Sequence, residues 1–258
     1  MLLCGCGKAE EPENPYRIKT QIHETYHTDR TKTVRTEYHY DENGWLSELQ
    51  AFDGDDWWYT TKFILDEKGN NHGSERNAAD GTQTEEKGLT FDDQGRMLTS
   101  ESSINGEVTA TTEYGYGKDG QITKLYINRI GSLHEEDWKS FVDRTYDRKG
   151  RLIREDTRWE PHDDNTSYTL YHYEQDRLLR TETYKEETFD SYTDYTYDET
   201  GLIQTAISYE ADGTLQSKRV TTFDEYGNQI LQERYQDGEV YWRTENIYEL
   251  VETTSERS

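Results

Sequence analysis

The chain has little of what builds a conventional interior. Only 31% of its 258 residues are apolar, and no stretch approaches the roughly 20 consecutive apolar residues of a membrane-spanning helix. Proline is down to three, so little interrupts the hydrogen-bond ladder of extended segments. Cysteine occurs only as Cys4 and Cys6. A disulfide between residues so close is sterically poor, and two cysteines exclude both a disulfide framework and a four-cysteine zinc site. Positive charge is also scarce, with 29 Lys and Arg against 54 Asp and Glu and a net charge of −25. Such a charge repels nucleic acid and anionic membrane surfaces over long range, which argues against nucleic-acid binding. No phosphate loop, nucleophile elbow or Cys-His pairing is visible, and no cofactor is expected.

What the chain does have is tyrosine, 21 of them, with 6 Trp and 6 Phe. These are strand formers with large amphipathic surfaces, so the composition reads as a thin, half-buried β structure rather than as disorder. The organising unit is the decapeptide 146–155, beginning Tyr146-Asp147-Arg148-Lys149-Gly150-Arg151-Leu152. Asp-x-x-Gly is turn chemistry: Asp caps the turn, the middle pair fits a type I turn, and Gly supplies the left-handed residue of a bulge. Tyr146 then lies opposite Leu152 on one face and Asp147 opposite Arg151 on the other. The same grammar recurs at Phe91 to Met97, with Asp92 facing Arg96.

Anchors followed by turns fall at Tyr40, Leu65, Phe91, Tyr116, Tyr146, Tyr173, Tyr197 and Phe223, with a last anchor at Tyr248, at intervals of 24 to 30 residues. A second turn signal, such as Asp53-Gly54, Asn105-Gly106 or Asp237-Gly238, halves most units. Each unit of about 26 residues is therefore a hairpin of two strands of about eight residues. The fold class is all-β: an antiparallel up-and-down meander of about 16–18 strands. The segments around Arg17 to Tyr26 and Tyr248 supply the last one or two. Open twisted sheets rarely exceed ~10 strands, so the meander should curl into a spiral or barrel-like shell. The longest interval marks Asn128 to Trp138 as its irregular stretch.

Leu3-Cys4-Gly5-Cys6 resembles the end of a bacterial lipoprotein signal, with Cys6 as the lipidated residue and a start upstream of Met1 supplying the rest. The domain reading is 1–6 truncated signal and lipobox, 7–16 polar tether, and 17–258 a single β-repeat domain. Tyr-Asp-x-x-Gly-Arg-Leu at Tyr146 to Leu152, nearly repeated at Phe91 to Met97, resembles the YD repeat of the bacterial rearrangement-hotspot (RHS) family. That resemblance covers roughly residues 33 to 250. It implies a secreted or surface-exposed β-strand shell, with links in some members to carbohydrate binding or to enclosing toxins.

Candidate sites are few. His23 with His27, His134 with Glu135 and Glu136, and His162 with Asp163 and Asp164 are the only clusters a transition metal could like, and i, i+4 spacing on a strand, about 13 Å, is too long to share an ion. No metal is assigned. The Asp53 to Asp56 turn could hold Ca²⁺, although turn chemistry already explains its acids. The strongest binding candidate is an apolar strip of Trp45, Trp58 and Ile64, with Leu49, on the side opposite the Tyr40 and Leu65 anchors. Flat rings there would suit sugar or peptide stacking. The competing readings are that a segment bearing Ile18 and Ile22 covers the strip, or that a bulge shifts its register.

The expectation is a lipid-anchored binding or scaffold protein on the extracellular face of the bacterial cell membrane. It would take a glycan or surface-protein ligand, and it would touch the membrane only through its N-terminal lipid. The alternatives are a surface glycan hydrolase and a shell that encloses or presents a polypeptide. Expressed from an upstream start, the protein should carry lipid on Cys6 and partition into detergent. Mass analysis of the N-terminal peptide checks this, and unmodified Cys6 in a soluble cytoplasmic pool would refute it.

Overall fold

A computed structural model of the chain describes residues 16–26, 31–130, 138–160 and 166–250. Cys6 and the tether at 7–15 lie outside these residues, as do His27, His134 and His162 with its acidic neighbours. All regular structure is strand. The first nine strands are β1 (Tyr16–Tyr26), β2 (Thr31–Tyr40), β3 (Leu46–Asp53), β4 (Asp56–Leu65), β5 (Asn71–Ala78), β6 (Gln83–Phe91), β7 (Met97–Ile104), β8 (Glu107–Tyr116) and β9 (Ile122–Arg129). The second nine are β10 (Trp138–Tyr146), β11 (Leu152–Glu160), β12 (Thr166–Glu174), β13 (Arg177–Lys185), β14 (Thr188–Tyr197), β15 (Ile203–Glu210), β16 (Leu215–Phe223), β17 (Gln229–Gln236) and β18 (Glu239–Leu250).

Every strand pairs antiparallel with its neighbours in sequence, and β1 pairs with both β2 and β18, so the 18-stranded meander closes into a barrel. The two terminal segments expected to add strands are the ones that close it. Closure leaves no free sheet edge. Tyr16, placed with the tether in the sequence reading, is the first residue of β1 and stands opposite Leu250. Asn128 and Arg129 belong to β9 and Trp138 to β10, with Trp138 opposite Arg129. The regular wall therefore extends further into the longest repeat than the interval suggested.

The turns form as their residues dictate. The Asp147 carboxylate accepts the backbone N–H groups of Lys149 at 2.8 Å and Arg151 at 3.0 Å, while Gly150 N–H closes on the Asp147 carbonyl at 3.0 Å. Gly150 sits at φ +81°, and a Cβ there would also lie 2.7 Å from Gln121 Nε2. Only glycine meets both demands. Asp41, Asp66, Asp92 and Asp224 cap their turns in the same way. Tyr146 lies opposite Leu152 and Phe91 opposite Met97, as the repeat requires. Just past these pairs the register slips by one, because the next pair is Thr145 with Arg154 and Ile153 is left as an extra residue. Such bulges recur near the ends of most hairpins and bend and twist the strands into a closed wall.

Following the register around the barrel separates two faces. One carries Tyr38, Leu49, Thr61, Arg76 and Thr84 at one level and Tyr195, Ala206, Arg219, Arg234 and Trp242 across the barrel. Ala51, Thr61, Ser100, Ser140, Ala206, Thr221 and Thr244, nearly all of the buried residues, belong to it. The concave side of a closed sheet crowds its side chains, so this is the inner face. Every buried residue is small, and no aliphatic core exists among the described residues. The outer face carries a ladder of charge, with Glu48, Lys62, Glu75 and Glu85 in register on successive strands.

One tie binds each hairpin to the previous one. The hydroxyls of Tyr40, Tyr116, Tyr146, Tyr173, Tyr197 and Tyr248 donate to the carbonyls of Ile18, Met97, Ile122, Leu152, Leu178 and Gln229, at 2.7 to 3.1 Å. Each acceptor lies at or near the start of the preceding strand. Leu65, Phe91 and Phe223 occupy the anchor position without a hydroxyl. A second tie runs the other way. Arg17, Arg96, Arg151 and Arg177 lie over the rings of Tyr40, Tyr116, Tyr173 and Tyr197, 4.0 to 5.2 Å from the centroids.

The second tie gives Arg151 more than its pairing with Asp147. The residue does pair with Asp147, at 2.8 Å, but the pair is not a solvated decoration. Its side chains are only 26% and 20% exposed, and the guanidinium also bonds the Gln175 carbonyl of the next turn. Replacing Tyr146 by Phe keeps the ring and removes one tie, and should lower stability by about 1 kcal/mol. Phe91→Tyr is the reciprocal change and should not destabilise. Denaturant melts of the two variants check both.

Candidate functional site

The structure brings the predicted strip together only in part. Two bulges decide the outcome. The slip after Leu46 turns Leu49 and Ala51 to the inner face, where Leu49 stands opposite Tyr38 and Thr61. Leu49 therefore leaves the strip. A second slip sets Ala51 opposite Tyr59 rather than Trp58, leaving Trp58 as the extra residue of a bulge. Ile64 is on the outer face and 46% exposed, but six residues along β4 from Trp58, about 20 Å away. Trp45 lies over the Gly69 turn of the next hairpin, in the position that Arg96 takes over Gly120. It belongs to the ties between hairpins.

Trp58 is 43% exposed, so the chain does not cover it. Its neighbour Trp57, opposite Phe52 on the outer face, is 42% exposed, whereas the Trp58 ring turns to the side of Tyr59 and Lys32, at the inner rim. The corner is held firmly. Trp57 Nε1–H donates to Thr60 Oγ1 at 2.9 Å, and the Trp58 carbonyl accepts Ala79 N–H at 2.7 Å. The Trp58 ring meets Tyr59 edge-on at 5.1 Å with Lys32 Nζ 5.0 Å above it. Lys32 in turn pairs with Asp53 at 3.1 Å, which ties one acid of the suggested Ca²⁺ turn to a cation. Two large rings held open to water at the rim of the wall, Trp57 outside and Trp58 beside Tyr59 and Lys32, form the candidate site. Covering the exposed part of either ring is worth on the order of 2 kcal/mol.

Other aromatic clusters on the outer wall do not offer ring faces. Tyr168, Tyr184, Phe189, Tyr192 and Tyr209 run across β12 to β15, and three of their four contacts are stacked. Arg154 covers Tyr168 and Arg180 covers Tyr192. The faces are spent on one another, so the row stabilises the sheet. A groove of about 270 Å³ between β10 and β12, lined by Phe141, Arg154, Asp156, Arg158 and Tyr168, is likewise committed. Its Arg154 binds Asp156 and its Arg158 lies over Phe141.

The inner wall is polar and reached by water, since Arg76, Arg129 and Arg234 point inward and are nonetheless exposed. A closed sheet of this strand number encloses more space than its side chains fill. His23 bonds Thr244 and Thr25 at 3.2 Å each. Burial holds its pKa below the usual value, helped by Arg234 and Lys32. Among the described residues, no three His, Cys, Asp or Glu side chains meet as a metal site would require. Among the described residues, each carboxylate whose pKa is displaced is pushed down, by the bonds it accepts in a turn cap as at Asp66, Asp92 and Asp147, or by a lysine as at Glu85 and Asp190. A general acid for glycoside hydrolysis would need the opposite displacement.

No protein-family model matches the chain, and no curated protein matches it. Among solved structures it is similar to a porin-like protein from Bacteroides uniformis, at 15% identity and a TM-score of 0.47, over 93% of this chain and 99% of that one. It is also similar to TcdB2-TccC3, at 14% identity and a TM-score of 0.26, over 84% of this chain and 15% of that one.

Burial pushes the Tyr40 and Tyr171 phenols up to about 12. The fold favours their neutral form, so their contribution is fully present below the unfolded value of about 10 and is lost as pH rises through about 12. Phenolate absorbance should therefore rise in two stages, with the late stage coincident with unfolding. A single early stage in the intact protein would contradict the placement of these rings.

Proposed function

We propose that this is a surface-anchored binding or scaffold protein of RHS-like construction, lipidated at Cys6 and facing the outside of the bacterial cell. It takes a carbohydrate or protein ligand on its wall. The observation that carries the reading is the Trp57–Trp58 corner at the rim of the barrel, where two large rings stay open to water. The charge ladder supports a wall that stands in water, because Glu48, Lys62, Glu75 and Glu85 side by side would be costly against lipid. Closure of the sheet supports a second reading, in which the barrel encloses or presents a polypeptide. The wall itself then serves as the container.

Glycan-array and surface-protein screening of the soluble domain separates the two. On the binding reading, Trp58→Ala or Trp57→Ala weakens any ligand found by at least tenfold and leaves the melting temperature nearly unchanged. Ligand binding indifferent to both substitutions would sink the assignment of the corner.

A further inference from the structure

On the inner wall, Arg219 of β16 and Arg234 of β17 stand directly opposite each other. Like charges in that relation repel. The chain has 54 acids to place, yet among the described residues neither guanidinium has a hydrogen bond or ion pair to a carboxylate. Arg234 rests on the Trp242 ring at 4.4 Å and is exposed to the enclosed water. Around the pair on the same face stand Ser217, Thr221, Gln232 and Thr244, all neutral hydrogen-bonding groups. The local field is positive, as the nearby His23 already registers.

We propose that Arg219 and Arg234 bind a single oxyanion, a carboxylate or sulfate, carried by a sugar chain that enters the barrel. Two arginines side by side on adjacent strands, one resting on Trp242, supply the N–H donors that planar carboxylate and tetrahedral sulfate accept. The neutral hydroxyl and amide neighbours suit sugar hydroxyls, which both donate and accept. An acidic peptide would bring apolar side chains for which this stretch has only the Trp242 ring. The net charge of −25 repels densely charged polyanions, so the ligand bears isolated charges. This site is separate from the tryptophan corner, and either can fail without the other.

Calorimetric titration at constant ionic strength tests it, with trigalacturonate, neutral maltotriose, inorganic sulfate and a short oligoglutamate as probes. Trigalacturonate should bind best and lose at least tenfold in Arg219→Gln and in Arg234→Gln. Lys218→Gln, on the same strand but the outer face, and Trp58→Ala should leave its binding unchanged. Arg219→Glu should raise the melting temperature without ligand, by replacing repulsion with a cross-strand pair, and should abolish binding. Equal binding of maltotriose would overturn the proposal, as would a preference for oligoglutamate, sulfate binding as tightly as trigalacturonate, or full binding in both Gln variants.

Discussion

The wall depends on the grip of one hairpin on the next. A sheet one layer thick has no second layer to bury against, and its largest buried side chains are no bigger than threonine. Stability must therefore come from contacts along the wall. Backbone ladders supply part of it, and the tyrosine hydroxyl that reaches the preceding hairpin's carbonyl supplies another. The arginine laid over the next hairpin's tyrosine works in the opposite direction. Each repeat is thus held from both sides by groups within the repeat sequence itself, as in other one-dimensional arrays. Where the anchor is Leu65, Phe91 or Phe223 the hydroxyl is missing, and the ring or aliphatic contact remains.

Closure gives the array a property that linear solenoids lack. The last strand meets the first over nearly the whole of β1, so no terminal repeat needs a capping face. It also creates two environments. Charged residues crowd the outside, whereas the inside is lined largely by tyrosine, serine and threonine, with a few arginines and the carboxylates Glu86 and Glu155. A chain with net charge −25 therefore encloses a region where the nearest charges, at Arg219 and Arg234, are positive. The barrel thus has two surfaces of different chemistry, the outer one presenting Trp57 and the inner one Arg219 and Arg234 side by side.

The candidate site was legible only in part, and the misses have one cause. Ile64 was placed on the outer wall by counting alternate residues, and it is there. Leu49 was placed on the wrong side. A single extra residue after Leu46 reverses parity for the rest of β3, and a second at Trp58 restores it for the rest of β4. At Trp58 itself the bulge turns the ring to the side of Tyr59 and Lys32, which counting does not show. Bulge positions of this kind leave no mark as clear as Asp-x-x-Gly. The Arg219–Arg234 pair was invisible for another reason: the two residues lie 15 apart in the chain, and only register makes them neighbours.

Taken alone, the sequence determined the turns, the strand count, the pairing of Tyr146 with Leu152 and the absence of an aliphatic core. These are local matters, settled by an Asp that can cap, a Gly that can adopt positive φ and side chains that alternate along a strand. Tertiary structure decided that the sheet closes rather than spirals, that Arg151 lies on Tyr173 instead of in solvent, and which residues face the enclosed water. Those outcomes sum small twists and one-residue slips over all 18 strands. A slip that costs little where it occurs reverses every side chain beyond it, so facing is a property of the assembled wall rather than of any one segment.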